Sequence, residues 1–250
     1  MLRLGLLIKL SRKDWHEIRS NRQVLLPMIL MPVIFAVVYP LLIVGGPLSD
    51  PSSIIGQFGS ILNYLNYMVG DIIRPIFVMI PMLVTLAIAA DSWAGEKERK
   101  TAESILLLPL TDTELFVAKV LASFIPGLII TWISGAILST IVDSLTYSLL
   151  GFLYMPNVSW LFILFVLSPV LSFFTIYIDV WVSYRARDTK SAQQIGGTVM
   201  VIFIAVLVSG FLGVIELVLL ILTACFAVLD VIMIYFSPRV FSRENIIAKF

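Results

Sequence analysis

The chain has 250 residues, of which 60% are apolar and only 13% charged, and its formal net charge is +1. A soluble domain carries about a quarter charged residues, so this composition excludes an ordinary water-soluble fold and makes lipid the solvent for most of the chain. A single cysteine, Cys225, excludes an internal disulfide and a thiolate metal cluster, and a single histidine, His16, excludes most histidine metal sites and a histidine-dependent catalytic pair. So small a net charge gives no reason to expect a nucleic-acid partner.

Residues 4–20 have the spacing of an amphipathic helix. Leu4, Leu7, Ile8, Ser11, Trp15 and Ile18 recur three and four apart, with Lys9, Arg12, Lys13, His16 and Arg19 opposite them. That pattern suits a helix lying in the headgroup layer; a solvated basic arm that only sets topology is the other reading. A membrane crossing takes roughly 20 residues, because lipid offers no partner to an unpaired backbone group. Apolar stretches with few or no charges then predict six spans, at about 24–45, 72–92, 116–142, 159–183, 195–212 and 215–236. Between the first two, Ile54, Phe58, Ile61, Leu65 and Met68 share a helical face, predicting a surface helix over 54–69. Pro156-Asn157 divides the long apolar run after Ser144, so the fourth span begins near Ser159.

Six crossings return both termini to one side, and the basic residues say which. Of 17 lysines and arginines, 16 fall on the side of the termini and only Arg74, beside Asp71, falls on the other. By the positive-inside rule that crowded side is cytoplasmic. The expected fold is therefore an all-α integral membrane protein with six transmembrane helices, both ends inside, in the cytoplasmic membrane.

The connection between the second and third spans is the most informative segment. Residues 96–108 favour a helix that is charged in its first half and apolar from Ile105 to Leu108. Pro109 stops it, and Thr111 with Glu114 forms a capping box that starts the next helix. A short rigid helix held between two spans suits the transmission of movement from a cytoplasmic partner; an amphipathic connector resting on lipid is the plain alternative. This block resembles the ABC-2 type transporter permeases. That family has a glutamate, basic residues, a threonine, a further acidic residue, apolar residues, then proline, an apolar residue and Ser/Thr. Here Glu96, Glu98-Arg99-Lys100, Thr101, Glu103, Ile105-Leu106 and Pro109-Leu110-Thr111 stand in that order. Lys13-Asp14-Trp15, Arg19, Arg22, Pro27 and Pro32 are similar to the family's elbow helix and first span.

The resemblance implies a permease subunit of an ATP-driven exporter, paired with a second copy or a related permease in the lipid bilayer. It implies a separate ATPase subunit docked on a coupling helix at 96–108, with Glu96, Glu98, Arg99, Thr101, Glu103 and Pro109 as the coupling residues. No Gly-x4-Gly-Lys-Ser/Thr occurs in the chain, so it holds no cofactor through a P-loop, and ATP and Mg2+ belong to the partner ATPase. One departure from many members is the short Ser209–Glu216 connection; the bulky external segment follows span one instead. Within the bilayer, Asp179 and Asp230 are expected near the cytoplasmic ends of spans four and six. They either line a pathway or pair locally, Asp179 with Arg185 or Arg187. An ion-gradient-driven secondary transporter or channel is the competing function. A membrane enzyme has no nucleophile–base pair to work with, and an aspartyl protease would need a Gly-x-Gly-Asp context that neither aspartate has.

Overall fold

The computed structural model describes residues 15, 20–98, 111–183, 189–197, 201, 206, 208 and 212–240. Every regular element among them is helical. Five helices are long and apolar enough to cross a membrane: α1 (Val24–Ser49), α3 (Ile61–Ala90), α4 (Thr113–Leu150), α5 (Val158–Val182) and α7 (Ile215–Tyr235). Two shorter helices among the described residues flank these, α2 (Pro51–Phe58) before α3 and α6 (Thr189–Gly197) after α5. The expected fifth span, 195–212, lies mostly outside the described residues, as do most of 4–20 and all of 99–110.

α3 is the central helix. It packs against α1, α4, α5 and α6, and 83% of its apolar window is buried, against 28% for α1 and 22% for α7. The low values belong to helices whose outer faces are free to meet lipid or another subunit. One end of the bundle gathers Asn21, Asp91 and Thr111; the other gathers Gly45, Tyr64 and the Asp143–Asn157 region. At the first end Asn21 Nδ2 donates to Asp91 Oδ1 at 2.8 Å. At the second, Asp143 Oδ1 accepts the backbone N–H groups of Tyr154 and Met155, each at 2.9 Å. The Tyr154 hydroxyl donates to Asn66 Oδ1 at 2.9 Å. Burial pushes its phenol up from the ordinary 10.0, the nearby Arg74 opposing, so it stays a donor.

Prolines shape these helices. A proline cannot donate to the carbonyl one turn back, and the helix around it can widen to π geometry. π-helical turns precede Pro40, Pro47, Pro75 and Pro169, at Ile34–Val38, Leu41–Gly45, Asn66–Ile73 and Ile163–Leu167. The carbonyls so released find other donors. Ile43 O, four residues before Pro47, accepts the Tyr64 hydroxyl at 2.7 Å. Leu164 O, five residues before Pro169, accepts Trp132 Nε1 at 2.8 Å and Ser168 Oγ at 2.5 Å. In each case the donor or the freed carbonyl ties two spans together.

The surface helix expected over 54–69 is divided. Gly59, at φ 74, ends α2, and Ser60 caps a new helix by accepting Asn63 N–H at 3.1 Å. That helix runs on unbroken into the second span. Asp71 and Arg74 looked like the edge of the apolar run, but Arg74 is buried and its Nη1 meets Glu216 Oε1 of α7 at 3.2 Å. Pairing removes the reason to place Arg74 in water, so the stripe of Leu65, Val69 and Ile73 extends the core of α3. α4 likewise runs past the expected 142, ending at Gly151 with φ 75. Nothing between Val142 and Leu150 breaks a helix, and Leu145 packs beside Gly45 of α1. At Asn157 the expected division is present, its Oδ1 capping α5 by accepting Trp160 N–H at 2.9 Å.

Candidate functional site

The polar residues at the Asp91 end form one buried constellation on three helices. α3 leads directly into a π-helical turn, Asp91–Gly95, followed by Glu96–Glu98. Unlike the other π turns this one has no proline just after it, and what holds it is a lysine. Lys119, two turns into α4, lies with its Nζ 2.5 Å from Glu96 Oε2 and donates also to the Ser92 carbonyl. Side-chain exposure is 2% for Lys119 and 5% for Glu96, so the pair sits in a low dielectric where its attraction is large. Asp91 and Ser92 are buried beside it.

α4 is anchored at the same end by the expected capping box. Thr111 N–H donates to Glu114 Oε2 at 2.9 Å and Glu114 N–H to Thr111 Oγ1 at 3.3 Å. Two otherwise orphaned donors are satisfied reciprocally. Thr111→Ala removes the hydroxyl half and should cost about 1 kcal/mol, read as a lower melting temperature of the detergent-solubilised protein. Behind the cap, Phe116 and Val120 of α4 pack with Ala89 of α3 and Ile176, Tyr177 and Val180 of α5. The ends of α3, α4 and α5 therefore share one core at this end.

Of the expected coupling residues, Glu96 faces inward and Glu98 is exposed on the same short turn. Arg99, Thr101, Glu103 and Pro109 lie outside the described residues. Asp179 is fully buried in α5; Arg185 and Arg187 lie outside the described residues. Asp230 continues the buried stripe of α7 made by Leu219, Thr223 and Phe226, where the Phe226 ring packs at a tilt against Phe174 of α5, centroids 4.4 Å apart. Its Oδ1 is buried with no hydrogen-bond partner among the described residues. In the sequence Lys119 is one of the 16 basic residues on the side of the termini. A lysine two turns inside an apolar helix needs a buried counter-charge, and that was the available signal; its partner could not be read from spacing.

Mechanically the site is a clamp. Displacement of the Glu98 turn that follows α3 reaches Lys119 through Glu96 and the Ser92 carbonyl, and from Lys119 α4 runs as a single helix to Leu150. A family model described as an ABC-2 family transporter protein matches residues 8–236. The chain belongs to the ABC-2 transporter family. No curated protein and no solved structure matches it significantly. The ABC-2 permease is a multi-pass membrane protein, the transport subunit of an ABC transporter and not itself catalytic. Permeases of this family normally pair with an ATPase subunit.

Proposed function

We propose that this permease forms the substrate path of an ATP-driven exporter, with a second copy or a related permease completing it. A separate ATPase, holding the ATP and Mg2+, delivers its motion to the cytoplasmic segment 96–108. The observation that carries the reading is the Glu96–Lys119 clamp, which joins the start of that segment to α4 at 2.5 Å. A connector merely resting on lipid needs no buried ion pair, since burying two charges is costly and is offset only by close geometry.

Six crossings with both termini in the cytoplasm fit the layout of the described helices. Glu216 is tied to Ser159 at 2.9 Å and to Arg74 at 3.2 Å, which puts the start of α7 at the Asp143 end. α5 finishes at the opposite end, which supports a further crossing between Ser183 and Ile215. On this reading Glu98, Arg99, Thr101 and Glu103 meet the ATPase, Glu96 orients the segment from inside, and Pro109 fixes its end.

The test is charge reversal at Glu98 and Glu103 together. In proteoliposomes with the partner ATPase, the double Lys variant should insert normally and hydrolyse ATP while transport falls by about tenfold or more, the loss of two charge-assisted contacts at a subunit interface. Normal transport per ATP would remove the reading. A carrier or channel driven by an ion gradient is favoured by one observation, the buried Asp230. It predicts transport that survives without nucleotide and stops when the gradient is dissipated.

A further inference from the structure

α4 and α5 leave an open groove at the Asp143 end, with a cavity of about 410 Å3. That is within the range of small-molecule sites, about 300–1,000 Å3. One end is apolar and aromatic: Trp132 and Phe165 lie 5.5 Å apart by ring centroid, with Leu161 and Leu164 beside them. The other end carries Ser139, Thr140 and Asp143. Trp132 and Asp143 are eleven residues apart on one helix, about 16 Å along its axis, comparable to an extended dodecyl chain.

The polarity of this lining is one-sided. Ser139 Oγ donates to Gly135 O and Thr140 Oγ1 to Ala136 O, each at 2.8 Å. Trp132 Nε1 is spent on Leu164 O at 2.8 Å. Pro156 has no N–H, and that of Met155 is given to Asp143 Oδ1 at 2.9 Å. The side-chain donors are thus all engaged within the protein, and what faces the groove is hydroxyl lone pairs and one carboxylate. Arg74, the basic residue on this side, is held by Glu216. An anionic head would meet repulsion there, and a neutral alcohol could donate one hydrogen bond but would leave the carboxylate's charge unanswered. A head with N–H donors and a positive charge matches both features.

We infer that the groove between α4 and α5 binds a single-chain amphiphilic amine, its ammonium at Asp143 and its alkyl chain running down to Trp132 and Phe165. This goes beyond the transport reading and stands on the permease alone, so it is tested without the ATPase. The full-length chain is placed in phosphatidylcholine nanodiscs, whose headgroups have no N–H donor, and titrated with tritiated dodecylamine against empty discs. The wild-type permease should show one saturable site per chain, competed by unlabelled dodecylamine and not by dodecanol or dodecyl sulfate. Asp143→Asn keeps Oδ1 to accept the Tyr154 and Met155 N–H groups and replaces the charged Oδ2 with a neutral NH2, removing both the charge and the acceptor an ammonium needs. It should weaken binding by about tenfold or more, as expected for loss of a charge-assisted hydrogen bond. Ala136→Leu, at an exposed position on the groove floor, should abolish binding without touching the core. The inference is overturned by uptake no greater than empty discs, by unchanged affinity in Asp143→Asn, or by equal competition from dodecanol. Equally tight displacement by phosphatidylethanolamine would also overturn it, by assigning the groove to a bilayer lipid.

Discussion

Lys119→Met should be the most damaging single substitution at the Asp91 end, lowering stability by about 3–5 kcal/mol. The methionine keeps the length and apolar stem of the lysine, so little packing is lost. What is lost is the charge that makes a carboxylate tolerable at 5% side-chain exposure, and the donor to the Ser92 carbonyl. By contrast Arg74–Glu216 has one partner 69% exposed and belongs to the class of pairs worth about 1 kcal/mol or less. Adding Glu96→Gln to Lys119→Met neutralises the stranded carboxylate and should recover much of the melting temperature. It should not recover ATP-driven transport, because the clamp between α3 and α4 is still open. Melting of the purified variants, followed by size-exclusion chromatography after heating, separates the two effects. A Lys119→Met protein as stable as wild type would show that the pair is not the lock described.

Gly127→Ala should be the most damaging small change in the core, by about 1–3 kcal/mol. Alanine ordinarily gains about 0.5–1 kcal/mol over glycine inside a helix, so the sign must come from packing. A Cβ at Gly127 would stand 2.3 Å from Thr85 Cγ2. Thr85 is buried and β-branched, and its Oγ1 donates to Pro81 O at 2.5 Å, so the methyl cannot turn aside without giving up that bond. Gly135, two turns along, makes the useful contrast. A Cβ there would lie 2.5 Å from Leu164 Cδ2, the far end of a side chain that can change rotamer. Gly135→Ala should therefore fall near wild type in the same melting assay, with Gly127→Ala clearly below it. The reverse order would mean that α3 and α4 do not cross at Gly127.

Much of this architecture could be read from residue order because its causes are local. Asn157 and Thr111 with Glu114 announce helix starts whose hydrogen bonds span three residues, and the uncharged runs set which segments cross the bilayer. Long-range pairing is a different matter. Asp71 and Arg74 looked like a water-facing edge because Glu216, 142 residues away, gives no local sign of reaching them. The same blindness turned one continuous helix into a surface helix plus a shorter span. Lys119 was visible as an oddity in an apolar helix, yet only the fold names Glu96 and Ser92 as its partners. In reverse, Glu96 stood in a motif that suggested contact with another subunit, and its side chain is turned inward. The acceptor-only groove was invisible, since it depends on where each hydroxyl proton goes.

The central claim is that the Glu96–Glu98 turn and the segment after it face the cytoplasm, where an ATPase can reach them. Labelling with a membrane-impermeant maleimide tests it most directly, in a Cys225→Ala background carrying either Glu98→Cys or Leu153→Cys; both native side chains are exposed. In intact cells Leu153→Cys should label and Glu98→Cys should not, and permeabilising the membrane should make Glu98→Cys reactive. Labelling of Glu98→Cys in intact cells would put the clamp on the outer face, beyond the reach of any cytoplasmic ATPase.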